Sequence, residues 1–395
     1  MLQTARRLLY QPRQAINSLP ESWRWSMGIW VFYRLALSAW AALIWKMGLI
    51  QYEAGSKYYL GINPIINGWK GALIGVWQRW DAIYYMQIAQ TGYKTNEASA
   101  FFPLYPILGR ALGLLTHSDS LFALLIISNL AYLFTLILLY QFVEEEFSTA
   151  VAKRTIIFLS VFPTAFFFFA PYPQSLSLLL VLAAYIAARQ SKWLLATLTG
   201  FCAGLTHSTV LPLILILSYE TFKHLRRSNS AKRWIALLPP LGPAFGTILF
   251  FAWRISIGLP SISEIQQEYW GRIIQVPWQT FSDIVSLIRE HTLPITSWIN
   301  LVILIIVMFI TVWEIRYIST DLNIYQISSL TYLLFFTTLQ EPLASLGRFC
   351  LIMFPLFIGM ALWAYTPRRR LISVSISIFS QLLLSGIFVM WGFVS

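Results

Sequence analysis

Long, unbroken apolar stretches alternate with short polar clusters along the whole chain. LFALLIISNLAYLFTLILLY (121–140) and LVILIIVMFITVW (301–313) show neither the alternation of a half-buried strand nor the striped face of a surface helix. Runs of this kind approach the ~20 apolar residues that carry a helix across ~30 Å of hydrocarbon. They recur from Trp30 to the C-terminus and predict spans near 27–49, 120–142, 155–172, 175–189, 193–206, 208–222, 234–256, 293–313, 322–339, 349–365 and 371–393. The fold class is an all-α polytopic membrane protein, one integral membrane domain over residues 1–395 with about eleven transmembrane helices. A transmembrane barrel would show alternating segments instead.

Composition agrees, with 11% charged residues against ~25% in soluble domains. The net charge of +12 matters mainly through its placement. It collects in short loops between spans, as membrane topology requires, which excludes a nucleic-acid-binding stripe. Arg6, Arg7 and Arg13 put the N-terminus in the cytoplasm, with no secretory h-region close behind them and so no removed signal peptide expected. Lys153 and Arg154, Arg189 and Lys192, KHLRRSNSAKR (223–233) and PRRR (367–370) call for the same side. Residues 193–222 must then cross twice, or dip in and return, around a break at THST (206–209). Residues 50–118 and 257–292 become long extracytoplasmic loops, and QEPLASLGR (340–348) a short one on the same side. Cys202 and Cys350 lie in apolar surroundings and read as core thiols.

The first external loop interrupts the apolar pattern with QRWDAIYYMQIAQTGY (78–93). Residues 76–115 are too rich in aromatics to be disordered. Residues 81–91 have helical spacing and Gly92 as a stop, whereas FFPLYP (101–106) cannot run through as a helix. One or two short helices lying in the membrane interface fit this segment, with Trp and Tyr rings at headgroup level.

Asp81 stands at the start of the short helix. It reads as an N-cap, as a general base held by Trp80 and Tyr84 with Arg79 beside it, or as both. Arg348 lies where an external loop enters an apolar run, and is either a snorkelling side chain or a clamp for phosphate. Glu341, seven residues earlier, is Arg348's ion-pair partner or a second acid. Arg34 within the first span, Gln174 after APYP and His207 at the break are intramembrane polar groups, hence site candidates or interhelical hydrogen bonders. Trp80, Phe102 and Tyr105, with Arg79, Tyr84 and Tyr93, are the substrate-binding candidates of this loop. The loop 257–292 reads as a cover without chemistry of its own. No DxD motif or His/Asp cluster calls for a metal, and no cofactor is expected.

RWDAIYYMQIAQTGY followed by AFFPLYPILGR (100–110) resembles the first luminal loop of PIG-V-type mannosyltransferases, members of the GT-C class of membrane glycosyltransferases. The likeness continues in FPTAFFFFAPYPQSLSLLLVLAAYIAAR (162–189) and SLGRFCLIMFPLFIGMA (345–361). It implies a GT-C-like bundle, a polyprenyl- or dolichyl-phosphate sugar as donor, and a glycan or glycolipid acceptor. It makes Asp81 the catalytic carboxylate and Arg348 a donor-phosphate contact. A phosphate leaving group departs without a proton, so one carboxylate serves where a glycoside hydrolase needs two. Gln174 stands where the family tends to have an acid, and His207 where it tends to have an arginine. Those departures point to an altered donor or acceptor, or to a non-catalytic partner subunit; a lipid-linked-sugar flippase is the other alternative. The length and the lack of an Asn-x-Ser/Thr acceptor site in any loop lean towards a prokaryotic plasma membrane.

Overall fold

The computed structural model describes residues 18–52, 59–227 and 231–394. Arg6, Arg7 and Arg13, and residues 228–230 of the basic loop, lie outside the described residues. In chain order the helices begin with α1 (Glu21–Lys46), α2 (Gly68–Leu73), α3 (Asp81–Thr91), α4 (Leu104–Thr116), α5 (Ser120–Glu146) and α6 (Thr149–Val161). Next come α7 (Gln174–Arg189), α8 (Trp193–Gly204), α9 (Leu213–Arg227), α10 (Leu241–Ser256) and α11 (Ile262–Trp270). Strand β1 (Arg272–Ile274) precedes α12 (Pro277–Arg289), α13 (Ile295–Glu314) and α14 (Thr320–Leu334). Strand β2 (Phe336–Thr338), α15 (Leu346–Phe349), α16 (Phe354–Trp363) and α17 (Pro367–Val389) complete the chain.

Each apolar run contains helix, but they are not equally long. Among the described residues α1, α5, α13 and α17 are long and apolar enough to cross a membrane, and 346–363 is a fifth if its bent pair counts as one span. α4, α7, α8 and α10 are shorter apolar helices. Proline accounts for several of the differences. The run expected at 155–172 stops at Val161, because Phe162 turns extended (ψ 141°) ahead of Pro163. The run at 349–365 breaks by 89° between residues 352 and 354, with Pro355 opening the second helix. The run at 322–339 ends as helix at Leu334 and continues into β2, which pairs antiparallel with β1 (Arg272 opposite Thr338). Inside FFPLYP the helix α4 starts at Leu104, with Pro106 in its first turn, where a missing N–H loses no bond.

The two ends of the bundle differ in chemistry. At one end Lys153 pairs with Glu21 at 2.5 Å and Arg189 with Glu146 at 2.7 Å. Arg370 lies near Arg154 there. The basic clusters at 153–154, 189 and 370 thus gather at one end of the bundle. The loop carrying α2 and α3 caps the other end, tied to α1 by Trp45 Nε1 donating to the Ile66 carbonyl at 2.9 Å. Between them runs a core of aromatic rings, including Tyr132, Phe166, Phe167, Phe168 and Tyr172, all essentially inaccessible.

α8 and α10 cross through facing pairs of small residues four apart, Gly200 and Gly204 against Gly242 and Gly246. A Cβ on Gly246 would stand 2.3 Å from the Phe201 carbonyl oxygen, and one on Gly204 2.2 Å from that of Pro243. Only glycine permits this backbone approach, the device by which membrane helices associate without a hydrophobic drive. Gly246→Leu is expected to force the two helices apart and destabilise the protein by about 1–3 kcal/mol, read as a lower midpoint of thermal unfolding in detergent.

Candidate active site

The stretch 78–80 is a positioning device, and each of its side chains points away from Asp81. Gln78 is fully buried, its Oε1 accepting from Ile65 N at 3.0 Å. Arg79, also fully buried, donates from Nε to the Val389 carbonyl at 3.0 Å and from Nη1 to the carbonyls of Gly75 and Gln78 at 3.1 and 2.9 Å. Its guanidinium lies 4.6 Å from the centroid of a Trp391 ring. Trp80 carries a positive φ of 53°, an uncommon conformation for a bulky residue. It is held there by Nε1 donating to the Gly392 carbonyl at 3.2 Å and by edge contacts with Trp391 and Phe393. Both side chains fasten this loop to residues 389–393.

That turn swings Asp81 out as the first residue of α3. Trp80 occupies the N-cap position, with no side-chain capping bond, so the N-cap reading of Asp81 is corrected. Its Oδ2 accepts from Arg348 Nη1 at 2.5 Å, an ion pair with side-chain exposures of 24% and 12% respectively. Arg348 is thus neither a free snorkelling cation nor Glu341's partner. Glu341 sits in the turn after β2, its backbone N–H bonded to Thr338 Oγ1 at 3.0 Å, and among the described residues it makes no ion pair.

Arg348 is presented by a pinned backbone. Gly347 N donates to Asn300 Oδ1 at 3.0 Å, and the Gly347 carbonyl accepts from Thr164 Oγ1 at 2.7 Å. A Cβ at this glycine would meet Ile303 Cδ1 at 2.9 Å. Around the guanidinium stand the rings of Phe349, Tyr172 and Phe167, with centroids 5.0, 5.4 and 5.5 Å away. Its Nε is buried without a hydrogen-bond partner.

A second guanidinium arrives from the loop read as a cover without chemistry. β1 carries Arg272 beside the site, where Nη2 donates to Ser345 Oγ and the Ala344 carbonyl, both at 3.3 Å. Arg348 Nη2 reaches the same Ser345 hydroxyl at 3.4 Å. Burial, with Arg348 alongside, lowers Arg272 to about 10, so it stays charged at neutral pH. Arg348 alone pairs with Asp81, and Arg272 stands near enough to feel the charge of both. Arg272 was missed because its signal, a three-residue strand paired across the fold, has no local periodicity.

The remaining candidates divide into two groups. Gln174, His207 and Arg348 line one small recess together with Ser177 and Thr209, and Gln174 Oε1 is buried without a partner. The His207 ring packs on Phe349 at 5.1 Å between centroids. Its Nδ1 accepts from Thr209 N at 3.2 Å. Tyr84 borders the site, stacked on Phe101 at 4.7 Å between centroids. The second group is engaged by protein neighbours: Phe102 stacks on His207 at 6.2 Å between centroids, and Tyr105 is fully buried with its hydroxyl bonded to Ser128 Oγ at 2.6 Å. Phe102 packs on Phe250 at 4.7 Å, and Tyr93 donates to the Phe101 carbonyl at 2.9 Å. Arg34 likewise donates to the Phe169 carbonyl at 3.3 Å, the interhelical alternative.

Residues 56–238 match the model of the family described as Mannosyltransferase (PIG-V). The chain resembles these mannosyltransferases. The match bears out the likeness read from RWDAIYYMQIAQTGY and supports a glycosyltransferase, and with its apolar helices it marks an integral membrane protein. It contains Asp81, Gln174 and His207 and ends before Arg272 and Arg348, which only the folded chain brings to the aspartate. The Archaeoglobus fulgidus oligosaccharyltransferase, solved with a tethered acceptor peptide containing the NVT sequon, is similar in structure with a TM-score of 0.43 and 11% identity. That likeness covers 91% of this chain and 56% of the oligosaccharyltransferase, so the chain spans little more than half of its length. No curated protein matches the sequence.

Arg79→Met keeps the bulk of the side chain and removes its three buried hydrogen bonds to the carbonyls of Val389, Gly75 and Gln78. It is expected to destabilise the protein by about 2–4 kcal/mol, measured by thermal unfolding, while the folded fraction keeps its donor KM. A raised donor KM at unaltered stability would assign Arg79 to substrate binding.

Proposed function

We propose that the protein moves a sugar, mannose by its family likeness, from a polyprenyl- or dolichyl-phosphate donor to a glycan or glycolipid acceptor at the extracytoplasmic face. The observation that carries this reading is the charge balance at Asp81. Arg348 and Arg272 both donate to the Ser345 hydroxyl. Asp81, paired with Arg348, is among the described residues the one carboxylate that acts on either, leaving them one positive charge in excess. A lipid-phosphate sugar is a phosphodiester with a single negative charge, and the planar guanidinium fork suits its oxygens. The unpartnered Nε of Arg348 supplies a further donor.

The phosphate and Asp81 compete for the same guanidinium. As Arg348 turns its donors to the donor phosphate, Asp81 Oδ2 is released to accept a hydrogen bond from the acceptor hydroxyl. That oxygen attacks the anomeric carbon, its proton passes to Asp81, and the bond from the anomeric carbon to phosphate oxygen breaks on the opposite face. The configuration inverts, and the charge left on the phosphate stays beside Arg348 and Arg272. Preorganised groups facing developing charge commonly supply the largest share of catalysis. We assign Gln174 and His207, which line the recess beside Arg348, to hydrogen bonds with the bound substrate.

Asp81→Asn is expected to lower kcat with a polyprenyl-phosphate mannose donor by roughly 10²–10⁴-fold, in protein that still elutes as a folded species. Retained turnover would remove Asp81 as the base. Arg348→Ala and Arg272→Ala should each raise the donor KM more than the acceptor KM. Equal effects on both, or translocation of the donor across vesicles without transfer, would sink this reading.

A further inference from the structure

At the end of the bundle away from Asp81, α1, α6 and α17 leave a groove of about 490 Å³ between them. Its walls include Gly28 and Phe32, Ile157 and Val161, and Val374 and Ile378. Gly28 opens the groove, since a Cβ there would meet nothing within 4 Å. The mouth is basic. Arg24 lines it directly, together with Glu21. Arg154 lies three residues before Ile157 and Arg370 four before Val374, each on the helix face that lines the groove. Arg370 is close enough to act electrostatically on Arg154. Glu21 is engaged by Lys153. Among the described residues no ion pair takes up Arg24, Arg154 or Arg370, and Arg154 Nε is buried without a hydrogen-bond partner.

We propose that this groove binds an anionic glycerophospholipid, at a site separate from the sugar-transfer centre. One acyl chain lies along Gly28, Phe32, Val161 and Ile378, and the phosphate sits among Arg24, Arg154 and Arg370. Arg154 and Arg370 repel each other at the rim of this apolar slot, and Glu21, the carboxylate that lines it, is engaged by Lys153, so an anion placed there gains from both guanidiniums and from Arg24. A phosphodiester offers oxygens that match their donors. A zwitterionic headgroup would bring an ammonium group into the same positive cluster, so charge complementarity selects the anionic lipid.

The test uses purified full-length protein equilibrated with vesicles of equal parts phosphatidylglycerol and phosphatidylcholine, with retained lipid read by native mass spectrometry. Phosphatidylglycerol should be held at least several-fold over phosphatidylcholine, and Arg370→Gln should lower that preference roughly fivefold. Gly28→Phe, whose ring has open space to enter the groove, should abolish retention. Ile378→Trp provides a second block if Gly28→Phe fails to fold. Equal retention of the two lipids overturns the proposal, as does preference that survives a folded blocking variant. A groove filled by another part of the chain would retain no lipid and overturn it equally.

Discussion

Asp81 and Arg348 lie 267 residues apart in sequence and 2.5 Å apart in space, and much of the fold's unusual local structure serves that one ion pair. Taking two charges largely out of water costs several kcal/mol for each, recovered only when the geometry is held firmly. Both backbones are accordingly over-determined. On one side the positive φ of Trp80 is fixed by the chain end at 389–393. On the other, Gly347 is pinned through both its N–H and its carbonyl. Strain of this kind persists where the surroundings enforce it, and it concentrates at functional sites.

The pair also joins parts of the chain that would otherwise be independent. Tyr172 presents its ring to Arg348 and donates its hydroxyl to the Arg79 carbonyl at 3.1 Å. One side chain from the break between α6 and α7 thus braces the residue that anchors Asp81 and the residue that neutralises it. Phe167 from the same break adds a second ring. The aromatic run Ala165–Phe168 forms a short turn between α6 and α7, and through Phe167 it brings a ring to Arg348, so the loss of a continuous span there has a local use. Low-polarity rings strengthen the charge interaction beside them.

Much of this was legible in the sequence, and the limits have physical causes. α3 runs over the residues expected, 81–91, and Gly92 takes the positive φ that its role as a stop requires. Asp81 and Arg348 stood out because a charge in an apolar chain needs a reason. The direction of Arg79 could not be read, since a single residue with positive φ at Trp80 decides which way its neighbours face. Glu341 looked like Arg348's partner by separation alone, yet Leu343 and Ser345, both with positive φ, bend the intervening loop. Proximity in sequence is a poor guide wherever the backbone leaves the common regions. The length of spans was misjudged where proline cut an apolar run that hydropathy alone reads as continuous.

Arg272 shows why the charge balance cannot be assessed from either half of the chain. Without it, Asp81 and Arg348 form a neutral pair, and a neutral pair in a buried cleft gives an anionic donor little to recognise. The β1–β2 pairing ties the 257–292 segment to the strand that leads into the Arg348 loop, and the two cations meet at the Ser345 hydroxyl. A segment that covered the site merely by apolar packing could slide without changing the electrostatics. Hydrogen-bonded in register, with Arg272 opposite Thr338, it holds the second positive charge near Asp81 and Arg348.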